Sequence, residues 1–217
     1  MRRVARSEIV DYVTYNDLRA QLRERALAAK RDRRVVVADC LTFLFENHDT
    51  IRYQVQEMMR VEHIVREADI VHELSTYNDL IGQGGELGAT ILIGLDDPAE
   101  RDVKLTRWVD LPRHLYVVLA DGTRVRARWD ERQVSERRLS SVQYVMFPVR
   151  GAAPVACGVD LVDELVGETT LSTEQRAALP TEWDDTQRQH ASVSEQPDLA
   201  CAQLAGVEAA LEVREQR

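Results

Sequence analysis

Apolar and polar positions alternate with two periods along the chain, and the switches between them mark its elements. Over residues 6–32 the apolar positions Val10, Val13, Leu18, Leu22, Ala26 and Ala29 recur near every 3.6 residues, with Ser7 placed to cap. This predicts a long first helix. Its opposite side carries Arg19, Arg23 and Lys30, which reads as a solvated face; the sharper alternative is an anion or partner contact. Residues 35–38 and 41–45 are short β runs joined by a turn at Asp39 and Cys40. A second helix follows over about 50–68, capped by Asp49 or Thr50, and a short one over 71–81. Gly82, Gly84 and Gly85 predict a mobile loop. No strand precedes it and no Gly-Lys-Ser/Thr follows, so it is neither a dinucleotide fingerprint nor a P-loop.

An apolar run at 89–95 predicts a strand, and Pro98 starts a helix over 98–109. Ala120, Asp121 and Gly122 turn a hairpin between 114–119 and 123–128. Residues 130–138 read as a polar connector and 142–149 as a strong strand, while 151–159 adds a strand or a packed loop. Ser172 and Gln175 form a capping box for a helix within 171–179. Polar residues 181–198 read as a linker, and Leu204, Val207 and Leu211 phase a terminal amphipathic helix over 199–216. The order predicts an α+β fold: a mainly antiparallel sheet packed by two or three helices, with a helical C-terminal extension. The expected division is an α+β core over 1–150, a segment with a short helix over 151–183, and an acidic linker and terminal helix over 184–217.

Charge narrows the partners. The 217 residues carry a net charge of −9. Residues 151–217 hold four basic and thirteen acidic side chains, so 1–150 are balanced. A neutral body with an acidic tail does not predict nucleic-acid binding, which needs net basic surface. No apolar run reaches the roughly 18 residues of a membrane span, and no secretory leader is legible. Cys40, Cys157 and Cys201 are scattered, which fits a reducing cytoplasm and small buried side chains rather than disulfides or a zinc site.

The helix over 50–68 carries the candidate chemistry. Projected at about 100° per residue, Ile51, Val55, Met58, Val61 and Val65 form an apolar arc. Arg52, Gln56, Arg60 and His63 lie opposite. Gln54 and Glu62 fall inside the arc and Glu57 on its flank. A carboxylate in a core needs a partner or a ligand. One reading is a structural network around Glu62 and Gln54. The other is a pocket in which Glu57 or Glu62 serves as a general acid/base or an iron ligand, with Gln54, Arg60, Glu46 and Tyr53 lining it. Glu57 and Glu62 point about 140° apart, and Glu62 and His63 about 100°, so neither pair chelates a metal from one helix. No Ser/His/Asp or Cys/His pattern is legible, and no metal or cofactor is expected.

Several runs are similar to a known family: Arg33-Arg34-Val35, Leu44-Phe45-Glu46, the stretch from Tyr53-Gln54-Val55-Gln56-Glu57 to Glu62, Tyr77-Asn78-Asp79-Leu80-Ile81, and Ser140-Ser141-Val142-Gln143-Tyr144. Through them the chain resembles the bacterial domain-of-unknown-function 3501 family over about residues 5–180. The resemblance implies no established reaction. It implies an accessory role beside rubrerythrin-like or iron–sulfur oxidoreductases, by genomic association. Family members tend to carry histidine where Gln143 stands, and Val-Asp-His-Pro where Val159, Asp160, Leu161 and Val162 stand, which implies a specialised branch. The expectation is a cytoplasmic accessory or binding protein that works with an iron-dependent oxidoreductase; a homodimer stays open. The alternatives are an enzyme whose Glu57/Glu62 pocket acts on a small anionic substrate, and a plain interaction module with no small-molecule site.

Overall fold

The computed structural model describes residues 1–131 and 138–179. The linker and terminal helix expected over 181–216, and most of the connector at 130–138, lie outside the described residues. Among those described, six α-helices accompany two four-stranded antiparallel sheets, an α+β fold. One sheet runs β1 (Arg34–Val37), β2 (Leu41–Phe45), β3 (Leu87–Ile93), β6 (Val142–Phe147) in that spatial order. The other runs β5 (Arg124–Arg126), β4 (Leu115–Val118), β7 (Ala156–Leu161), β8 (Leu165–Thr170).

The antiparallel strands read from the pattern are shared between two sheets, and the second of them includes residues beyond 150. Residues beyond 150 supply β7, which pairs with β4 in the register Leu115↔Val159 to Val118↔Ala156. The two inner faces share one core, with Phe43, Phe45 and Phe147 opposite Val117, Cys157 and Val159. Leu105 of α4 (Pro98–Arg107) and Trp108 that caps it, Leu111 of α5 (Leu111–His114), and Leu171 and Leu179 flanking α6 (Thr173–Ala178) complete it. The sheets also meet at both margins. Arg128 exchanges two backbone hydrogen bonds with Met146 of β6, and the Thr169 hydroxyl of β8 donates to the Val36 carbonyl of β1.

Side-chain alternation gives the first sheet a second buried face. Val142 and Tyr144 of β6 point away from the sheet-to-sheet core, toward α2 (His48–Val61) and α3 (Glu67–Asn78). There they meet Ile51, Val55, Met58, Leu74 and Tyr77. The glycine segment before β3 is built into this body: Gly82 and Gly85 are buried, and a Cβ on Gly82 would lie 2.1 Å from the Glu86 carbonyl oxygen.

The first helix starts later and lies in another phase than its apolar stripe predicts. Residues 6–8 form a 3-10 turn; α1 spans Tyr12–Arg31 and is capped by Asp11, whose carboxylate accepts from the Val13 and Thr14 amides. The buried positions are Tyr15, Ala26 and Lys30, while Val13, Leu18 and Leu27 face solvent. The basic stripe containing Arg19 and Lys30 is thus the packed side, because α2 offers it partners.

The second helix stops earlier than its periodicity suggests. α2 begins after an Asn47 cap, with the Thr50 hydroxyl accepting from the Asn47 amide, and ends at Val61. His63 adopts a left-handed conformation (φ 54°), and the Ile64 amide donates back to the Met59 carbonyl at 3.0 Å. This is a Schellman end, locked by Ile64 packing on the helical core. Glu62 is the C-cap and stands exposed. The helix that would carry it inward ends one residue before it.

Candidate functional site

The expected site residues fall in three places. Glu57 is the centre of the first. Its side chain is 1% exposed, on the side of α2 that faces α1. One carboxylate oxygen, Oε1, accepts from the Tyr15 hydroxyl at 2.6 Å and from Arg19 Nε at 2.7 Å. The other, Oε2, accepts from Nη2 of Arg19 and Nη2 of Arg60, both at 3.0 Å. Burial pushes the Glu57 carboxyl up, but the hydrogen bonds from Arg19, Tyr15 and Arg60 outweigh it and bring the pKa down to about 2. Burial, and then the Glu57 carboxylate, push the Tyr15 phenol above its ordinary range. Tyr53, one turn before Glu57, is buried, with the Lys30 ammonium 5.5 Å from its ring centroid. Gln54 is half-buried beside it.

Glu46 occupies a second place, beyond the N-terminal end of α2. It is buried where β2 runs into α2, and its two oxygens accept from the Thr50 hydroxyl at 2.5 Å and the Thr90 hydroxyl at 2.6 Å. The Arg33 guanidinium, also buried, lies against the Glu46 carbonyl and the Ala178 carbonyl, tying α6 to the start of β1. Glu62 is the third place and the correction: it is exposed and outside both networks, so the expectation that it is buried and satisfied fails.

This arrangement sets what the chemistry can be. Glu57 remains ionised throughout the neutral range and its two oxygens receive four donors, so it acts as a lock between α1 and α2. A general base needs an accessible lone pair and a pKa near the working pH. Among the described residues, no three His, Cys, Asp or Glu side chains are grouped to hold a metal ion, and no helix is long and apolar enough to cross a membrane.

Sequence reasoning missed Tyr15 and Arg19, the main partners of Glu57. The signal was available: Tyr15, Arg19, Leu22, Ala26 and Lys30 also recur at helical spacing, but the charged members counted against that face. It also missed the role of Gln56, placed on the polar side. Gln56 is buried, accepting from the Val10 amide at 2.8 Å and donating to the Val10 carbonyl at 3.1 Å.

A second polar cluster covers the outer face of the second sheet. Tyr116 lies flat over Gly158, its cross-strand partner, under the Arg124 guanidinium at 4.4 Å. Arg126 holds Asp160 through two hydrogen bonds of 2.6 and 2.7 Å, and the Tyr116 hydroxyl donates to Glu168. Burial and then Glu168 raise the Tyr116 pKa to about 12. These groups satisfy one another.

Comparison with known proteins places this architecture. No curated protein matches the chain. Among solved structures, it is similar to a novel protein of unknown function from Burkholderia pseudomallei K96243, with 27% identity and a TM-score of 0.74. The match covers 82% of this chain and 97% of that one. The model of the family described as protein of unknown function (DUF3501) matches residues 3–182, which include both sheets and the Tyr15–Glu57 lock; the chain belongs to that family.

Proposed function

We propose that the protein is an accessory, partner-binding protein that works with an iron-dependent oxidoreductase of the rubrerythrin-like or iron–sulfur kind. One observation carries the binding half. The Glu57 lock fixes one side of α1 to the body, while Val13 and Leu27, which lie about 40° apart around the helix at 100° per residue, are 68% and 37% exposed. Holding a 20-residue helix rigid with Val13 and Leu27 turned to water on one side fits a helix that another protein covers. The oxidoreductase half comes from the family resemblance. The alternative, an acid/base enzyme built on Glu57 and Glu62, draws less support, because Glu57 is saturated by donors and Glu62 stands apart from it.

The test is direct binding of the purified full chain to a purified rubrerythrin-like or iron–sulfur oxidoreductase from its own source, by calorimetry, with iron content measured in parallel. A Val13→Asp/Leu27→Asp variant should melt like the unaltered protein and lose the complex. A complex that survives this variant unchanged, or no complex at all, refutes the proposal.

A further inference from the structure

The exposed side of α1 has the spacing of a helix seam. Val13, Ala20 and Leu27 stand seven residues apart, all exposed, within an arc of about 40°. Charges flank this line unevenly. Asp17 and Glu24 lie about 40–60° round on one hand, and Arg23 about 60° round on the other. Apolar residues at every seventh position are what a second helix packs on, and the flanking charges set its direction.

The chain holds a segment of matching pattern. Residues 199–216 lie outside the described residues. Their sequence spaces Leu204, Val207 and Leu211 at helical intervals, with Leu204 and Leu211 again seven apart. In projection Glu208 and Glu215 fall about 50–70° from that line, on the same hand as Asp17 and Glu24 of α1, and Arg214 about 50° on the other. Two parallel helices bring flanks of opposite hand together, whereas antiparallel ones join flanks of the same hand. In parallel, Glu208 and Glu215 face the Arg23 flank, and Arg214 faces that of Asp17 and Glu24; the antiparallel arrangement sets acid against acid. Total charge agrees: α1 carries five basic and two acidic side chains, residues 199–216 one and three. The reach suffices as well. The described residues end at Leu179, beside the Ala178 carbonyl that the Arg33 guanidinium bonds just past the end of α1. Residues 180–198 can span up to about 65 Å, against roughly 30 Å for the length of α1.

We propose that residues 199–216 dock as a helix, parallel to α1, on the seam of Val13, Ala20 and Leu27 in the same chain, covering the side that the oxidoreductase partner uses. The docking is argued from spacing, charge and reach; that cover and partner exclude one another rests on the partner-binding reading above. A covered seam lowers the apparent affinity for the partner in proportion to the fraction left open, so releasing the cover raises it.

Hydrogen exchange of the full chain tests the docking. An 18-residue segment holding Gly206 is marginal as a helix on its own, so slow exchange in it requires a surface to pack on. Amides of 199–216 should exchange at least about tenfold faster in the Val13→Asp/Leu27→Asp variant than in the unaltered chain. Equal exchange in the two overturns docking on α1. Glu208→Arg/Glu215→Arg alters no residue of the body and should also speed exchange at least about tenfold; adding Arg23→Glu should slow it again. No speeding overturns the docking even where the α1 variant fails to fold, and no recovery overturns the parallel direction. Protection that fades on about hundredfold dilution identifies a second copy as the occupant and overturns docking within one chain. Toward the partner, Leu204→Asp/Leu211→Asp in the full chain should raise affinity for the oxidoreductase at least about tenfold. Unchanged affinity overturns the exclusion. No complex with either protein, with exchange as expected, overturns the partner reading alone.

Discussion

Replacing Glu57 with glutamine removes one charge and almost no volume, which isolates the electrostatic part of the lock. In the folded chain the carboxyl titrates at about 2 against an ordinary value of 4.5. One unit is worth about 1.4 kcal/mol, so the ionised form supplies about 3 kcal/mol at pH 7. The pKa is depressed on folding. The stability is therefore fully present above the unfolded value and is lost as pH falls through the folded one. Near pH 3 the contribution shrinks to about half. Urea unfolding of Glu57→Gln should show a deficit of about 3 kcal/mol at pH 7, corresponding to a melting temperature lower by roughly 6–12 °C. The difference between the two proteins should narrow steadily between pH 5 and pH 2. A variant that melts within a degree or two at pH 7, or a deficit that does not change with pH, would show that Glu57 is not an ionised lock.

Other expectations follow from close contacts and local conformation. Gly88→Ala places a Cβ 1.9 Å from the Leu80 carbonyl oxygen, a backbone atom, and should destabilise the chain by about 3 kcal/mol or more in urea unfolding; a near-neutral result means the strand and the α3 exit are not packed as described. His63→Gly relieves a left-handed side-chain residue at the end of α2 and should raise stability by about 0.5–1 kcal/mol, although it gives up the 5.8 Å ring contact with Tyr12. Loss of stability would refute the Schellman end. The Cys157 thiol, fully buried and pushed by burial to about 12, should resist alkylation at pH 8 until denaturant is added, as read by mass spectrometry.

Local chemistry made many elements legible. The Ser172–Gln175 capping box, the Pro98 helix start and the turn at 120–122 each depend on residues within a few positions, and each stands where the pattern puts it. Two kinds of information were not local. The second sheet depends on β8, whose alternation of Leu165, Gly167 and Thr169 with Val166, Glu168 and Thr170 is too weakly apolar to announce a strand. The phase of α1 depends on α2, because Arg19 and Lys30 are packed inward only where Glu57 and Tyr53 receive them. The candidate site divides for the same reason. Glu57, Arg60 and Tyr53 share one side of a real helix, whereas Glu62 followed from periodicity carried past a stop that His63 and Ile64 impose.

The meeting of the two sheets at both margins has a consequence for how the chain assembles. β3 waits for β6, and β4 waits for β7, about 40 or more residues further along in each case. The hydroxyl bond that joins the far margins spans 133 residues. These are high-contact-order closures, which place the chain among the slower folders, in the millisecond-to-second range. During synthesis the hairpin of β1 and β2 is complete early, yet β3 presents an open, apolar edge until residue 147 has emerged. That interval is the window in which another chain can pair with it. The short β5, the charged Arg124 and Arg126 on it, and the Arg128 bridge then shield the margin once it shuts.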